Sequence, residues 1–238
     1  MKKIVTIGGG TGQYTLLRGL KNYDLDLSAI VSVMDSGGSS GQLRTTFGIL
    51  PPGDIRNCLL ALTDDYRLKD MMDVFSYRFP KGDSELSNHN LGNLILTALN
   101  NKHGNMGEAT KAASNILDIK HNVLPVSLNC SNIFCETSSG KKFKGEEEVS
   151  YSVGNEKVKK LWLNPEVYIY KESAEKIREA DLIVICPGLL YGSIIPNFLV
   201  SGFKEAIKSS KAKIVYVCNL VTGPGTYEFN TSDFVDEI

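Results

Sequence analysis

Two glycine-rich stretches, each directly behind a short apolar run, constrain this chain more than any other feature. Lys3-Ile4-Val5-Thr6-Ile7 leads into Gly8-Gly9-Gly10-Thr11-Gly12, and Ala29-Ile30-Val31-Ser32-Val33 leads into Met34-Asp35-Ser36-Gly37-Gly38-Ser39-Ser40-Gly41. The apolar runs read as buried strands. Three glycines and three serines within Ser36–Gly41 can neither extend a strand nor start a stable helix, so a loop is expected there. Such loops turn backbone N–H groups and hydroxyls toward one point, which suits an anion. Asp35 stands at the strand end, where an open α/β sheet places carboxylates that contact ligand. The two loops together predict one site for a phosphate-bearing ligand.

The first loop opens a helix expected over Gln13–Lys21, with Leu16, Leu17 and Leu20 on one face. Its fingerprint is neither of the common ones. Gln13 stands where a dinucleotide-binding GxGxxG needs glycine, and no Lys-Ser/Thr pair follows for a P-loop. An ordinary NAD or ATP site is therefore disfavoured.

Beyond the second loop, Pro51-Pro52-Gly53 excludes helix and central strand. Asp54 is positioned to cap a helix over Ile55–Leu62. It is equally placed to face Asp35 across a cleft and hold a metal or a ligand hydroxyl, and the two roles are compatible. Arg44 and Arg56 are candidate phosphate contacts. Further on, Ser87-Asn88-His89-Asn90-Leu91-Gly92-Asn93 gathers three amides and a histidine before the apolar helix Leu94–Leu99, more than a simple cap requires.

Helices are expected over Met71–Phe79, Gly107–Leu117, Ser173–Glu179 and Phe203–Lys208. Residues 122–170 change character: short β-type runs, with Ser138-Ser139-Gly140 as a hairpin turn, predict a β-rich insertion. Within it, Glu146-Glu147-Glu148 and Lys157-Val158-Lys159-Lys160 read as solvated faces. The α/β rhythm then resumes with apolar strands Asp181–Cys186 and Lys213–Cys218. They end in Pro187-Gly188-Leu189-Leu190-Tyr191-Gly192 and in Asn219. A final helix is expected behind a cap at Thr231 or Ser232. Four strands ending in small or polar loops predict one binding edge of a doubly wound, mostly parallel sheet.

The 238 residues suit one α/β domain carrying that insertion. A hydrophobic fraction of 42 % supports a substantial core. With 26 basic and 27 acidic residues and a formal charge of −1, nothing favours nucleic acid or an anionic membrane as partner. No apolar run reaches a membrane span, and no signal-peptide pattern precedes the first strand. Cys58, Cys130, Cys135, Cys186 and Cys218 show no CxxC spacing, so reduced thiols in a cytoplasmic protein are expected.

Several segments resemble the YvcK-like, or gluconeogenesis-factor, branch of the CofD superfamily. They are Ile7–Gly12 with Leu17-Arg18-Gly19-Leu20, Asp35–Gly41, and Pro51–Asn57. His89–Asn93, Pro187-Gly188 with Tyr191, Pro196-Asn197, and Cys218-Asn219-Leu220 complete the match. Where many relatives carry two adjacent aspartates, this chain has Asp35-Ser36. Cys186, Leu189 and Gly192 also replace small or hydroxylated residues, and Phe229 replaces tyrosine. The resemblance implies a Rossmann-like core binding a nucleotide-type ligand. In the YvcK-like branch that ligand is a UDP-sugar such as UDP-N-acetylglucosamine, and the protein is a regulator tied to carbon metabolism, cell shape and envelope synthesis. Relatives extend tens of residues further, so part of the ligand or dimer surface is expected outside this chain.

On this reading Gly9, Gly10, Thr11 and Gly12, with Ser36, Gly37, Gly38, Ser39 and Ser40, hold the diphosphate. Asp35 faces ribose or a metal. Asp54, Arg56, Asn57, His89, Asn90, Asn93, Gly188, Tyr191 and Asn219 surround the rest of the ligand. No cofactor is required, and a homodimer or regulatory protein partners are compatible with it. No nucleophile–base–orienter set can be assembled, which favours binding over catalysis. The alternative is a CofD-type transferase moving a phospholactyl group from a guanylyl donor to a deazaflavin. Asp35 and Asp54 would then hold Mg2+, and His89 would assist proton transfer.

Overall fold

The computed structural model describes residues 1–64 and 66–238. Its main sheet has five parallel strands: β1 (Lys2–Gly8), β2 (Leu25–Val31), β3 (Asn122–Pro125), β7 (Leu182–Ile185) and β8 (Lys213–Tyr216), ordered β3-β2-β1-β7-β8. The chain starts at the centre, runs outward through β2 and β3, then returns to the other side of β1. That order leaves a switch point between β1 and β7, where neighbouring strands lead their loops in opposite directions and open a crevice.

Apolar, β-branched runs form the central strands because both of their faces are covered. Ile7, Ile30, Val31 and Ile183 are fully buried there, each stabilising the fold by roughly 1.5–3 kcal/mol. Helices α1 (Gly10–Leu20), α2 (Gly38–Phe47), α3 (Gly53–Leu62), α4 (Lys69–Ser76), α5 (Leu91–His103) and α6 (Met106–Ile116) fill the first half of the chain. α1 packs on α3, and α5 on α6.

The second sheet is antiparallel, ordered β5-β4-β6, from β4 (Asn132–Thr137), β5 (Lys142–Lys144) and β6 (Val158–Asn164). The expected hairpin turn joins β4 to β5, with Gly140 at φ 87°. Between β5 and β6 lies α7 (Glu146–Tyr151). The insertion is narrower than residues 122–170. β3 pairs with β2 in the main sheet, and at Val167–Tyr170 the chain forms only an isolated bridge, Tyr168 to Ser201. The C-terminal part holds α8 (Lys171–Glu179), a π-helical turn Leu190–Ile194 running into α9 (Ile195–Phe198), α10 (Phe203–Ser209) and α11 (Thr231–Asp236).

Three local expectations are corrected. Ser39, Ser40 and Gly41 do enter a helix. Gly37 caps α2 in an extended conformation, Gly38 turns at φ 48°, and the serines sit in the first turn, where they are tolerated. Asn230, not Thr231 or Ser232, caps α11 and completes a capping box with Asp233. β8 is not a buried strand. It is an edge with β7 alone beside it, leaving Ile214 and Val215 exposed.

Candidate functional site

At the switch point lies a cleft of about 430 Å³. Gly9–Gly12 line it from the β1 side, Gly188, Leu189, Gly192 and Ser193 from the β7 side. Ser32, Asp35 and Asp54 form its floor, and Glu146 and Tyr151 of α7 its far wall.

Close packing explains the glycines. A Cβ at Gly12 would lie 1.9 Å from the Pro187 carbonyl oxygen, so the start of α1 touches the β7 loop backbone to backbone. A Cβ at Gly9 would lie 2.7 Å from Asp54 Oδ2. Gly10 takes φ 66° and its N–H bonds the Asp54 carboxylate. α1 thus begins one turn earlier than expected, at Gly10, and brings the unpaired N–H groups of its first turn to the cleft wall. Gln13, at the position of the missing fingerprint glycine, is fully buried. Its Nε2 donates to the Thr6 and Ile30 carbonyls and to Thr6 Oγ1, tying β1 to β2.

Asp54 is not a cap. Pro52 occupies the cap position of α3 and Asp54 lies in its first turn, because the Pro-Pro-Gly run starts the helix early. Its side chain points into the cleft. Burial, then the charges of Asp35 and Glu146, push its pKa up to about 7, against the Gly10 N–H bond and Arg56. Burial likewise raises Glu146, although Ser150 Oγ donates to it at 2.8 Å. Asp35 is held by an N–H from Gly37 at 2.8 Å. Among the described residues no Lys, Arg or His lines this cleft.

Glu146 is the carboxylate of the cleft lining that sequence reasoning missed, and Ser32, Tyr151, Leu189, Gly192 and Ser193 complete the lining beyond the expected residues. A Cβ on Gly192 would lie 2.1 Å from Ser150 Oγ and 2.9 Å from Glu146 Oε1, so glycine there lets α7 settle on the β7 loop. The departure at Gly192 was the available signal.

Of the expected site residues, Gly9, Gly10, Thr11, Gly12, Asp35, Asp54 and Gly188 meet in the cleft. Asn219 acts on Gly188 from behind: its Oδ1 accepts from the Gly188 N–H at 2.9 Å and its Nδ2 donates to the Gly188 carbonyl at 2.7 Å. Ser39, Arg56, Asn57, His89, Asn90 and Asn93 form a separate network beside α2. Ser39 Oγ meets His89 Nδ1 at 3.1 Å and accepts from Asn93 Nδ2 at 3.3 Å. Asn90 caps α5, accepting from the Asn93 N–H at 3.1 Å. Arg56 donates to Asn93 Oδ1 and to Asn57 Oδ1. Burial and the nearby Arg78 lower the Arg56 pKa to about 10. The dense amide loop is thus accounted for by capping and by ties to Arg56 and Ser39. Ser36 Oγ accepts the Glu147 N–H at 3.3 Å, Ser40 is buried in α2, and Gly37 and Gly38 lead into that helix. Tyr191 is buried under Gly225. Arg44 donates to the Ser131 carbonyl and to Asn132 Oδ1, tying α2 to β4.

Among the described residues no group of three or more His, Cys, Asp or Glu side chains is arranged to hold a metal. Asp35 and Asp54 supply the hard oxygen donors that Mg2+ prefers, and this ion commonly uses one or two carboxylates with ligand phosphates and waters completing the shell. The pair fits that pattern and not an all-protein cage. No helix among the described residues is long and apolar enough to cross a membrane.

The family model described as 2-phospho-L-lactate transferase CofD matches residues 4–238. The chain belongs to the CofD family. Within it, a Nostoc protein is 46 % identical over 238 residues, covering 99 % of this chain and 51 % of its own length. The gluconeogenesis factor of Bacillus subtilis is 43 % identical, covering 98 % of this chain and 73 % of its own. A crystal structure of a Bacillus halodurans protein superposes with a TM-score of 0.93 at 41 % identity, over 99 % of this chain and 75 % of that one. This CofD-family chain therefore spans about half of the Nostoc relative and about three quarters of the Bacillus ones. The α/β fold, with its mostly parallel sheet and small antiparallel sheet, is that of the structural neighbour.

Proposed function

We propose that this protein binds a nucleotide sugar of the UDP-N-acetylglucosamine type in the switch-point cleft. Its role would be that of a cytoplasmic regulator linking carbon metabolism to cell shape and envelope synthesis. One observation carries the reading: the cleft sets the N–H groups of a helix start beside a group of carboxylates. At Thr11 and Gly12 the backbone N–H groups of α1 face a position suited to a diphosphate. Asp54, which lies against Gly9 and Gly10, offers acceptors together with Asp35 and Glu146 to hydroxyl groups of ribose and sugar. The size falls within the range of ligand pockets, about 300–1,000 Å³. The gluconeogenesis-factor names of the relatives support the link to carbon metabolism.

A second reading, the Mg2+-dependent transferase, is favoured by the raised pKa of Asp54, caused by burial and then by the charge of Asp35, since a divalent cation between Asp35 and Asp54 would favour the charged carboxylate. That cation would neutralise charge on a transferring phosphate group. Calorimetric titration with UDP-N-acetylglucosamine, GDP and NADPH, each with EDTA and with excess Mg2+, separates the two. Metal-independent UDP-sugar binding that survives Asp54→Asn supports the regulator. A strict Mg2+ requirement lost in both Asp35→Asn and Asp54→Asn overturns it, as does binding of NADPH or GDP alone.

A further inference from the structure

The outer face of the small antiparallel sheet is unused by the site above. β4 directs Ile133, Cys135 and Thr137 into the protein, all buried, and turns Phe134 and Glu136 the other way. Phe134 stands opposite Trp162 of β6 and Lys144 of β5. Glu136 stands opposite Lys160 and Lys142. Two cross-strand rows therefore run over the face, Lys144–Phe134–Trp162 and Lys142–Glu136–Lys160.

The Phe134 and Trp162 rings stack, with centroids 5.6 Å apart and planes 16° apart. Lys144 Nζ lies 5.8 Å from the Phe134 centroid and Lys160 Nζ 5.3 Å from that of Trp162. A register shift at Glu136/Thr137 brings Lys159 onto the same side, its Nζ 3.7 Å from Glu136 Oε1, while Lys142 Nζ lies 4.0 Å from Oε2. Four exposed lysines thus surround two half-buried rings and the Glu136 carboxylate. On a chain of formal charge −1 this positive excess is local.

We propose that this face is a docking surface for an acidic segment of a partner protein, gripped by Lys142, Lys144, Lys159 and Lys160 around the Phe134–Trp162 pair. Charge complementarity selects the occupant: carboxylates answer the ammonium groups, and apolar side chains lie along the lysine stems and the ring edges. Nucleic acid is the poorer match. A lysine already lies over each ring, so no open ring face is offered for base stacking. The cations are also lysines, without the planar fork that arginine offers phosphate. The location suits a regulator, since β5 ends at Lys144 and Glu146, two residues on, lines the cleft. Docking itself needs no ligand in that cleft.

Trp162 is the only tryptophan in the chain, so its fluorescence reports on this face alone. The probes are a synthetic peptide rich in Glu and Asp with central leucines, its Lys-substituted counterpart, and oligothymidylate, all added to the ligand-free protein. The acidic peptide is expected to give a saturable change in Trp162 emission that fades with added salt. The Lys-substituted peptide is expected to give none. Charge reversal in the double variant Lys142→Glu/Lys144→Glu is expected to weaken binding about tenfold or more. Calorimetry on the same samples and circular dichroism of the variant keep a folding defect separate from lost docking. A change that does not saturate, equal affinity in the folded variant, or tighter binding of oligothymidylate overturns the proposal.

Discussion

The two glycine turns share a composition and a place at neighbouring strand ends, yet they do different work. After β1, Gly9 and Gly12 are small because Asp54 and Pro187 press against them, and Gly10 bonds Asp54 through its N–H. After β2, Gly38 has nothing within 4 Å of where a Cβ would stand, and Ser39 is engaged by His89 and Asn93. The first turn builds the wall of the cleft. The second starts a helix and anchors the amide loop, and only Asp35 in front of it reaches the cleft. A glycine-rich loop thus declares a need for backbone freedom or closeness. Whether a ligand, a side chain or another loop causes that need is decided by what packs there.

Substitutions test that contrast. The largest effect is expected from Gly12→Val, whose side chain would collide with the Pro187 carbonyl. A loss of about 3 kcal/mol or more is expected in urea unfolding, because backbone must move on both sides. A near-wild-type midpoint would show that the β7 loop can retreat and that the wall is not rigid.

Asp54 comes next. Its folded-state pKa, about 7, lies above the ordinary carboxylate value. Between those values the folded protein holds a proton the unfolded chain has released, so stability falls as pH rises through this window. Asp54→Asn should therefore stabilise the ligand-free protein at pH 8, by roughly 2–4 kcal/mol, and hardly at all at pH 4. Thermal unfolding at both pH values checks this. An equal effect at the two would mean that Asp54 carries no cleft-induced penalty.

Asn219→Ala removes both bonds to Gly188, at a cost of about 1–2 kcal/mol. It should also weaken UDP-sugar binding through the displaced β7 loop. Unchanged affinity would detach that loop from the site. The smallest effect belongs to the second turn: Gly38→Ala should cost about 1 kcal/mol through its positive φ alone. Ligand affinity should stay unchanged. Abolished binding in a folded Gly38→Ala protein would erase the difference between the turns.

The parallel core was legible in the sequence because Ile4–Ile7 and Ala29–Val33 are mainly apolar runs, broken only by Thr6 and Ser32, which suit a strand covered on both faces. Asp35 and the first glycine turn were legible for the same reason: they sit at the ends of those runs. Glu146 was not legible. Three consecutive glutamates look solvated, and what half-buries the first of them is Gly192, forty-six residues away, letting α7 onto the β7 loop. The role of Asp54 was open because an aspartate after Pro-Pro-Gly suits both a helix cap and a place facing Asp35 across a cleft. Only the early start of α3 decides between them. The exposure of β8 was hidden as well, since an apolar run does not say how many neighbours its strand has.

The central claim is that ligand sits between β1 and β7. Hydrogen exchange measured with and without saturating UDP-N-acetylglucosamine tests its location directly. Protection is expected at residues 9–13, 146–151 and 188–193, with residues 38–41 unchanged. Protection confined to residues 38–41 and 87–93, or to the separate cavity around Lys21 and His121, would contradict the account.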